Sequence, residues 1–362
     1  MSFAKIEVGC GIAREDDSRT AGEKAARQAF GSIQDHPLTA VLVFASVRYD
    51  LHNLLSGIKN VVGDVPLLGA STAGEICNGT HEKSVAVAEL ASPYLKVRIG
   101  VGQAVSADWQ KAVHQAASSP AVLPFFSLEG NTIWNEMTQN GESAFGIVFS
   151  PGNTRRAGSR GHEILEKLRQ LSLGRLPMFG GGAADDWSME ANYVFWGDRA
   201  YSDSLLVAVF QTSLQYGIAM AHGLRPSARV ATVTKVHDHE VLELDGRPAD
   251  KAYAELLEVS KEPLAGQHLT LTTGKLLGIR RYLWRLHHHG SQFVYPWWGA
   301  ASLSTRYSGN RVDGHGAGQR RDAELRERSI AQGYATIRCY RSGRRHHLFL
   351  CASLATFRRT AR

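Results

Sequence analysis

Two stretches of the chain repeat one order of hydrophobic and polar positions. Each has a short apolar strand, then a segment with apolar residues at helical spacing, then a second apolar strand. In chain order, the six segments are residues 41–46, 49–59, 65–68, 146–150, 162–171 and 176–179. We therefore predict an α/β fold built from duplicated strand–helix–strand units with mixed sheets.

Each unit ends in a loop of small residues that is followed by an acid. The first loop reads GASTAGE over residues 69–75, and the second reads GGGAADD over residues 180–186. Small residues after a strand let another molecule or another backbone approach closely. We expect the paired loops to face a shared cleft, and the alternative is two ordinary tight turns.

The polar groups of these loops suit an amino-acid-like ligand. Asp185 and Asp186 could receive an ammonium group, while Ser71 and Thr72 could bind a carboxylate through hydroxyl and backbone N–H groups. Arg155, in a donor-rich loop, could hold an anion. The predicted ligand-binding residues are Ser71, Thr72, Gly74, Glu75, Gly181, Gly182, Asp185, Asp186 and Arg155. The alternatives are that Asp186 caps a turn, that Ser71 and Thr72 cap a helix, and that Arg155 lies in a solvated loop.

Length and composition indicate a globular protein with two domains. We expect the second domain to be smaller and of α+β type. The chain has 362 residues, of which 43% are hydrophobic and 21% are charged. We find no apolar run of the roughly 20 residues that span a bilayer, and no signal-peptide pattern at the start. Cys10, Cys77, Cys339 and Cys351 have no metal-binding spacing, so reduced thiols and a cytoplasmic location are expected.

The net positive charge of the chain comes entirely from its last 84 residues. The net charge is +7, yet residues 279–362 carry 16 Arg, no Lys and four acids, whereas residues 1–278 carry a net charge of −5. The main body is therefore not expected to bind nucleic acid. No GxSxG, HExxH, GxxxxGK[ST] or GxGxxG motif occurs, so we predict a protein that is not an enzyme and that needs no metal.

Several motifs in the same order resemble the FIST domain, a sensory module. They lie at residues 44–51, 69–76, 180–186, 221–226 and 244–249, within a region of similarity that covers roughly residues 5–278. The resemblance implies a sensory domain of the FIST N-terminal type at residues 36–220, preceded by its first strand and helix at residues 1–35. The start of a FIST C-terminal domain would follow at residues 221–278.

The resemblance also implies a function. It implies binding of a small ligand such as an amino acid, with the ligand-bound state passed to a histidine kinase, a cyclic-nucleotide enzyme or a chemoreceptor. No cofactor is implied by this main interpretation. Some relatives are haem proteins that sense nitric oxide, and His222 matches their histidine. A haem sensor with His222 on the iron is therefore the alternative function, and a hydrogen-bonded core histidine is the other interpretation of His222.

Residues 279–362 form an Arg- and His-rich tail that departs from the family pattern. One possible coding sequence for residues 282–293, read one base later, translates as IYGDYTITVAS. Residues 307–317, shifted in the same direction, can give IPETVLMVME. Both products are strand-like, so we interpret the tail as the result of a reading-frame slip near Gly278. The alternative is a genuine basic appendage that binds acidic partners, including nucleic acid.

Overall fold

The computed structural model describes residues 6–77, 79–127, 131–222, 225–237, 240–249, 251–252, 255, 275–279, 336–342 and 345–354. The chain divides into two compact units. The first comprises Met1–Ala219 and Ala335–Ala352, and the second comprises Met220–Tyr334 and Ser353–Arg362. The predicted domain boundaries at residues 35, 220 and 278 stay predictions.

Among its described residues, the first half of the first unit contains six strands and two helices. They are β1 (Glu7–Ala13), α1 (Ser18–Phe30), β2 (Leu38–Ser46), α2 (Leu51–Val62), β3 (Leu67–Thr72), β4 (Glu75–Ile76), β5 (Thr80–His81) and β6 (Val85–Ala91). Strands β4 and β5 form a small hairpin of their own.

Where the structure describes it, the second half continues with six strands and four helices. They are β7 (Leu95–Gln103), α3 (Trp109–Ala117), α4 (Leu123–Phe126), α5 (Asn131–Gln139), β8 (Ser143–Ser150), α6 (Gly161–Leu171), β9 (Met178–Gly182), β10 (Tyr193–Trp196), β11 (Arg199–Ser202) and β12 (Ser204–Thr212).

Both halves build the same sheet, which confirms the predicted duplication and the mixed α/β class. The first sheet begins β1-β6-β2-β3, and the second runs β7-β12-β8-β9. In the first sheet β2 and β3 are parallel, and β6 lies antiparallel between β1 and β2. In the second sheet β8 and β9 are parallel, and β12 lies antiparallel between β7 and β8. The first sheet is extended by β10 and β11, because β10 pairs antiparallel with β3.

Matching glycines bring the first strand of each half close to its helix. A Cβ atom on Gly11 of β1 would lie 1.9 Å from the carbonyl oxygen of Ala25 in α1, and one on Gly102 of β7 would lie 1.9 Å from that of Ala112 in α3. A side chain at either glycine would overlap the helix backbone, so only glycine fits at these two positions. A glutamine then binds the next strand residue in both halves, since Gln28 accepts the N–H of Ile12 and Gln115 accepts that of Gln103. The duplication therefore extends to the strand–helix packing.

Helices α1 and α2 cover one face of the first sheet. Their alanine, leucine and isoleucine side chains form a core with Val41, Val43 and Val87 of the sheet. Gly57 allows the two helices to approach, because a Cβ there would lie 2.3 Å from the carbonyl oxygen of Arg19. Burial of this apolar face stabilises the unit by about 25 cal/mol per Å².

The remaining strands are β13 (Tyr216–His222), β14 (Arg225–Ala231), β15 (Val233–His237), β16 (Glu240–Leu244), β17 (Arg247–Pro248), β18 (Lys275–Ile279), β19 (Thr336–Ser342) and β20 (Arg345–Leu354). They form the small sheets β13-β20-β19, β14-β18 and β15-β16-β17. Most of the tail and the segments used for the frame-slip hypothesis lie outside the described residues, so that hypothesis stays a prediction. Within the described part of the chain, no helix is both long and apolar enough to cross a membrane.

Cys10 and Cys77 form a disulfide. Cys10 lies on β1 and Cys77 directly follows β4, 67 residues later, with the two Cα atoms 6.3 Å apart. The expectation that all four cysteines are reduced thiols is therefore wrong for this pair. Sequence spacing gave no signal, because the pairing depends on how the β4–β5 hairpin folds back toward β1.

Candidate functional site

The structure brings the two small-residue loops into direct contact. The N–H of Ala184 donates to the carbonyl oxygen of Ser71 at 2.8 Å, and the hydroxyl of Ser71 donates to that of Ala184 at 2.6 Å. The N–H of Asp186 donates to the carbonyl oxygen of Thr72 at 3.2 Å. The two small-residue loops therefore meet through direct hydrogen bonds, while the predicted cleft between them stays a prediction.

Ser71 joins the two loops to β10. Its hydroxyl also accepts the N–H of Tyr193 at 2.8 Å, and the residue is buried. This oxygen therefore donates one hydrogen bond and accepts another within the junction, and the ligand-binding role predicted for Ser71 stays a prediction.

Asp185 shapes its own loop. The residue is 2% exposed, and its carboxylate accepts hydrogen bonds from the Ser188 hydroxyl and from the N–H groups of Met189, Glu190 and Ala191, at 2.6–3.1 Å. The four hydrogen bonds satisfy the carboxylate within residues 185–191. The carboxylate of Asp185 thus faces its own loop, and the ligand-binding roles predicted for Asp185 and Asp186 stay predictions.

Asp186 lies half-buried at the contact between the loops. Its carboxylate accepts a hydrogen bond from the Ser46 hydroxyl at 2.5 Å. Burial raises the pKa of Asp186, and the charge of Asp185 adds to the rise. The hydrogen bond from Ser46, the charge of Lys83 and a backbone hydrogen bond from Val47 act in the opposite direction. An ionised Asp186 is thus incompletely compensated by the protein, and a cation beside it would be stabilising.

The backbone around Asp186 is strained. Asp186, Trp187 and Met189 have φ values of 51°, 69° and 59°, in the left-handed region that tryptophan and methionine rarely adopt. Strained backbone of this kind concentrates at functional sites, where surrounding contacts hold it in place. Here the four hydrogen bonds to Asp185 hold it.

Glu75 supplies a second, buried acid to the site. Its carboxyl group accepts the Thr72 hydroxyl at 2.5 Å and the N–H of Ser84 at 3.2 Å, and it is also bound by the Ser84 hydroxyl. Burial is the main cause that raises the pKa of Glu75 to about 7, and the nearby charge of Asp186 adds to it. The two carboxyl groups therefore influence each other's ionisation across the loop junction.

The turn after β2 completes this edge of the site. The N–H of Arg48 donates to the Ser46 hydroxyl, and the Arg48 guanidinium lies over the Tyr49 ring, 4.6 Å from its centroid. The pKa of Tyr49 is raised, mainly by burial. Sequence reasoning did not select Ser46, Lys83 or Ser84 as site residues, although Ser46 belongs to one of the motifs that carried the family resemblance.

Glycines leave open space on the other side of the junction. A Cβ on Gly181 would meet no atom within 4 Å, and one on Gly182 would meet only the backbone of Gly152. Beside them Asn192 is buried, and its Oδ1 accepts the N–H of Gly152 at 3.2 Å. Its Nδ2 has no hydrogen-bond partner among the described residues. Asn192 was not predicted from the sequence, because nothing in its surroundings distinguishes it from other loop asparagines.

Arg155 lies near this side of the junction through its backbone. Its N–H donates to the carbonyl oxygen of Met189 at 2.8 Å, which connects its loop to residues 185–191, and its side chain is exposed. Gly74 lies in the first loop, between Thr72 and Glu75. These two residues therefore flank the contact between the loops.

The haem alternative stays a prediction. His222 is the last residue of β13, and its side chain lies outside the described residues. Among the side chains that the structure describes, no group of three or more His, Cys, Asp or Glu residues is arranged to hold a metal ion.

Comparison with known proteins gives one family and a few more distant similarities. The family model for the FIST N domain matches residues 39–247. An uncharacterized protein of Methanocaldococcus jannaschii is 36% identical over 125 residues, which are 34% of this chain and 23% of that protein. The chain thus covers about a quarter of that relative's length.

Two solved structures of cyanuric acid hydrolases are also similar. The hydrolase from A. caulinodans is 10% identical, with 57% of this chain and 70% of that chain covered and a TM-score of 0.26. The second hydrolase structure is 11% identical, with 59% and 70% covered and a TM-score of 0.28.

Proposed function

The chain belongs to the FIST domain family, and from this premise we propose that it binds an amino-acid-like metabolite where its two small-residue loops meet. The FIST domain is a small-ligand sensory domain in signal transduction. The match covers more than half of the chain and includes both loops. The proposal concerns which groups bind the ligand and how the bound state is passed on.

Asp186 is the observation that carries the proposal. Its carboxylate is half-buried, its pKa is raised by burial, and it has one hydrogen bond from a side chain, that of Ser46. A ligand ammonium group at this carboxylate would replace lost hydration and favour the ionised form. Thr72 and Glu75 lie on the facing loop, where they would contact the same end of the ligand.

The glycine side of the junction would receive the other end of the ligand. Gly181 and Gly182 leave room there, and the unpartnered Nδ2 of Asn192 together with the exposed Arg155 supplies donors for a carboxylate. An α-amino acid carries an ammonium and a carboxylate on one carbon, so it fits a junction with an acid on one side and donors on the other. In this proposal Ser71 and Asp185 act indirectly, because they hold the loops in position.

A ligand bound at the junction would stabilise the contact between the halves of the duplicated unit. A partner that contacts both loops would then distinguish the bound state from the free state. We include in the proposal a signalling partner such as a histidine kinase or a cyclic-nucleotide enzyme, and a cytoplasmic location. The chain itself would catalyse no reaction.

A thermal-shift screen with the standard amino acids tests this proposal. We expect at least one of them to raise the melting temperature of the wild type, because a ligand that binds only the folded state stabilises it. The corresponding 2-hydroxy acid, which lacks the ammonium group, should give no shift. Asp186→Asn should abolish the shift. Asp198→Asn, which makes the same change in the β10–β11 turn, should retain it. A shift of equal size in Asp186→Asn, or no shift with any amino acid, would contradict the proposal.

A further inference from the structure

The Cys10–Cys77 disulfide joins the β4–β5 hairpin to β1. Cys10 points away from the sheet face that carries Gly9 and Gly11, because successive residues of a strand alternate between faces. The two Cα atoms are 6.3 Å apart, within the range that disulfides occupy. The fold thus brings together two thiols that 67 residues of sequence separate.

The hairpin that contains Cys77 also contains the buried acid of the candidate site. Glu75 begins β4 and pairs with His81 of β5, and Ile76 pairs with Thr80. A ladder of two residue pairs is too short to be stable alone. The position of Glu75 therefore depends on its hydrogen bonds to Thr72 and Ser84 and on the covalent connection through Cys77.

The two cysteine residues differ in their exposure to solvent. Cys77 is 4% exposed, whereas Cys10 is partly exposed. An oxidant would therefore reach the thiol of Cys10 first, and the buried thiol of Cys77 would complete the bond. This order is that of a peroxide-reactive cysteine with a resolving partner.

We propose that Cys10 and Cys77 form an oxidation-sensitive pair whose disulfide fixes Glu75 within the ligand site. The oxidised protein holds the hairpin in the binding arrangement, and the reduced protein lets Glu75 move away from Thr72 and Ser84. The coupling to ligand binding rests on the proposed function. The disulfide and its effect on the hairpin are independent of the proposed function.

The chemistry balances with hydrogen peroxide as the oxidant. The Cys10 thiolate attacks one peroxide oxygen, the O–O bond breaks, and a sulfenic acid and one water form once a proton is added. The sulfur of Cys77 then attacks the sulfur of Cys10 and displaces a second water. Two thiols lose two protons and two electrons, and the peroxide is reduced to two waters. A dithiol reductant reverses the change and becomes a disulfide itself.

Three measurements on the full chain test the proposal. After peroxide treatment, mass spectrometry of a non-reduced digest should show the peptide of Cys10 linked to that of Cys77. Hydrogen exchange in residues 73–84 should be slower in the oxidised protein than in the protein reduced with a dithiol. The third measurement is a thermal-shift titration with an equimolar mixture of the standard amino acids. The oxidised form should bind this mixture about fivefold or more tightly.

Variants separate this effect from general thiol chemistry. Replacing Cys10 and Cys77 by Ala should remove the difference between oxidised and reduced protein, since alanine and free cysteine both pack as small apolar groups. A Cys339→Ser, Cys351→Ser variant should keep the difference. If that double Ala variant does not fold, the exchange comparison on wild-type protein still decides the matter.

The outcomes are distinguishable. Absence of the linked peptide, or equal exchange rates in residues 73–84 in both redox states, overturns the proposal. Slower exchange in the oxidised form with equal affinity in both forms overturns the coupling to ligand binding. If the amino-acid mixture raises the melting temperature of neither form, the proposed function is contradicted. The hydrogen-exchange result then decides alone whether the disulfide controls the hairpin.

Discussion

Glu89 provides a pH-dependent test of the packing in the first sheet. It lies on β6 between Gly9 of β1 and Val41 of β2, is fully buried, and neither of its carboxyl oxygens has a hydrogen-bond partner among the described residues. Burial alone raises the pKa of Glu89 from 4.5 to about 7. In the second half of the unit, Gly100 corresponds to Gly9, and its partner on the neighbouring strand is Val207. An apolar residue therefore occupies the position that corresponds to Glu89.

The raised pKa means that Glu89 costs stability when it is ionised. Below pH 4.5 the carboxyl group is protonated in the folded and the unfolded chain, and there is no cost. As the pH rises from 4.5 to 7, the unfolded chain ionises first, so the stability of the folded state falls. Above pH 7 the ionised Glu89 lowers the free energy of unfolding by about 3 kcal/mol, because each unit of difference between the folded and unfolded pKa is worth about 1.36 kcal/mol.

We therefore expect Glu89→Gln to stabilise the protein by about 3 kcal/mol at pH 8.5 and by close to zero at pH 4.5, because an amide cannot ionise. Urea unfolding followed by circular dichroism at both pH values measures the difference. Glu82→Gln, at an exposed position, is the control and should change stability little at either pH. A gain for Glu89→Gln that is the same at both pH values would refute the reasoning.

Three further predictions concern other parts of the first unit. Reducing the Cys10–Cys77 disulfide should lower the free energy of unfolding by up to about 4 kcal/mol, the loop-closure value for a segment of this length, as measured by urea unfolding with and without a dithiol. Gly11→Ala should destabilise the unit by more than about 2 kcal/mol, because its Cβ would overlap the carbonyl oxygen of Ala25; thermal unfolding measures this, and an unchanged midpoint would contradict the packing. The carboxyl carbon of Glu75, followed by ¹³C NMR, should titrate with a midpoint of about 7, and a midpoint below 5 would show that the group is solvated.

The repeated architecture could be predicted from the sequence because its signal is local. Apolar strands, helical spacing in the segment now seen as α6, and small-residue loops recur in one order, and the parallel pairs β2–β3 and β8–β9 follow from that order. The contact between the loops could be anticipated for the same reason.

The roles of individual site residues could not be predicted, because they depend on long-range geometry. Asp185 and Asp186 are adjacent and identical, and only the left-handed backbone at Asp186 turns one carboxylate into its own loop and the other toward Ser46, 140 residues away in sequence. The Cys10–Cys77 pair is equally non-local. In each case the sequence contains the groups, and the pairing arises when distant segments fold together.

The most direct test of the account is an isothermal titration of the amino acid that gives the largest thermal shift. We expect Asp186→Asn to weaken binding by about 2 kcal/mol or more, roughly thirtyfold, because the ligand ammonium loses its half-buried charged partner. Asp198→Asn should bind like the wild type. An affinity in Asp186→Asn equal to that of the wild type would contradict the claim that the loop junction recognises an amine.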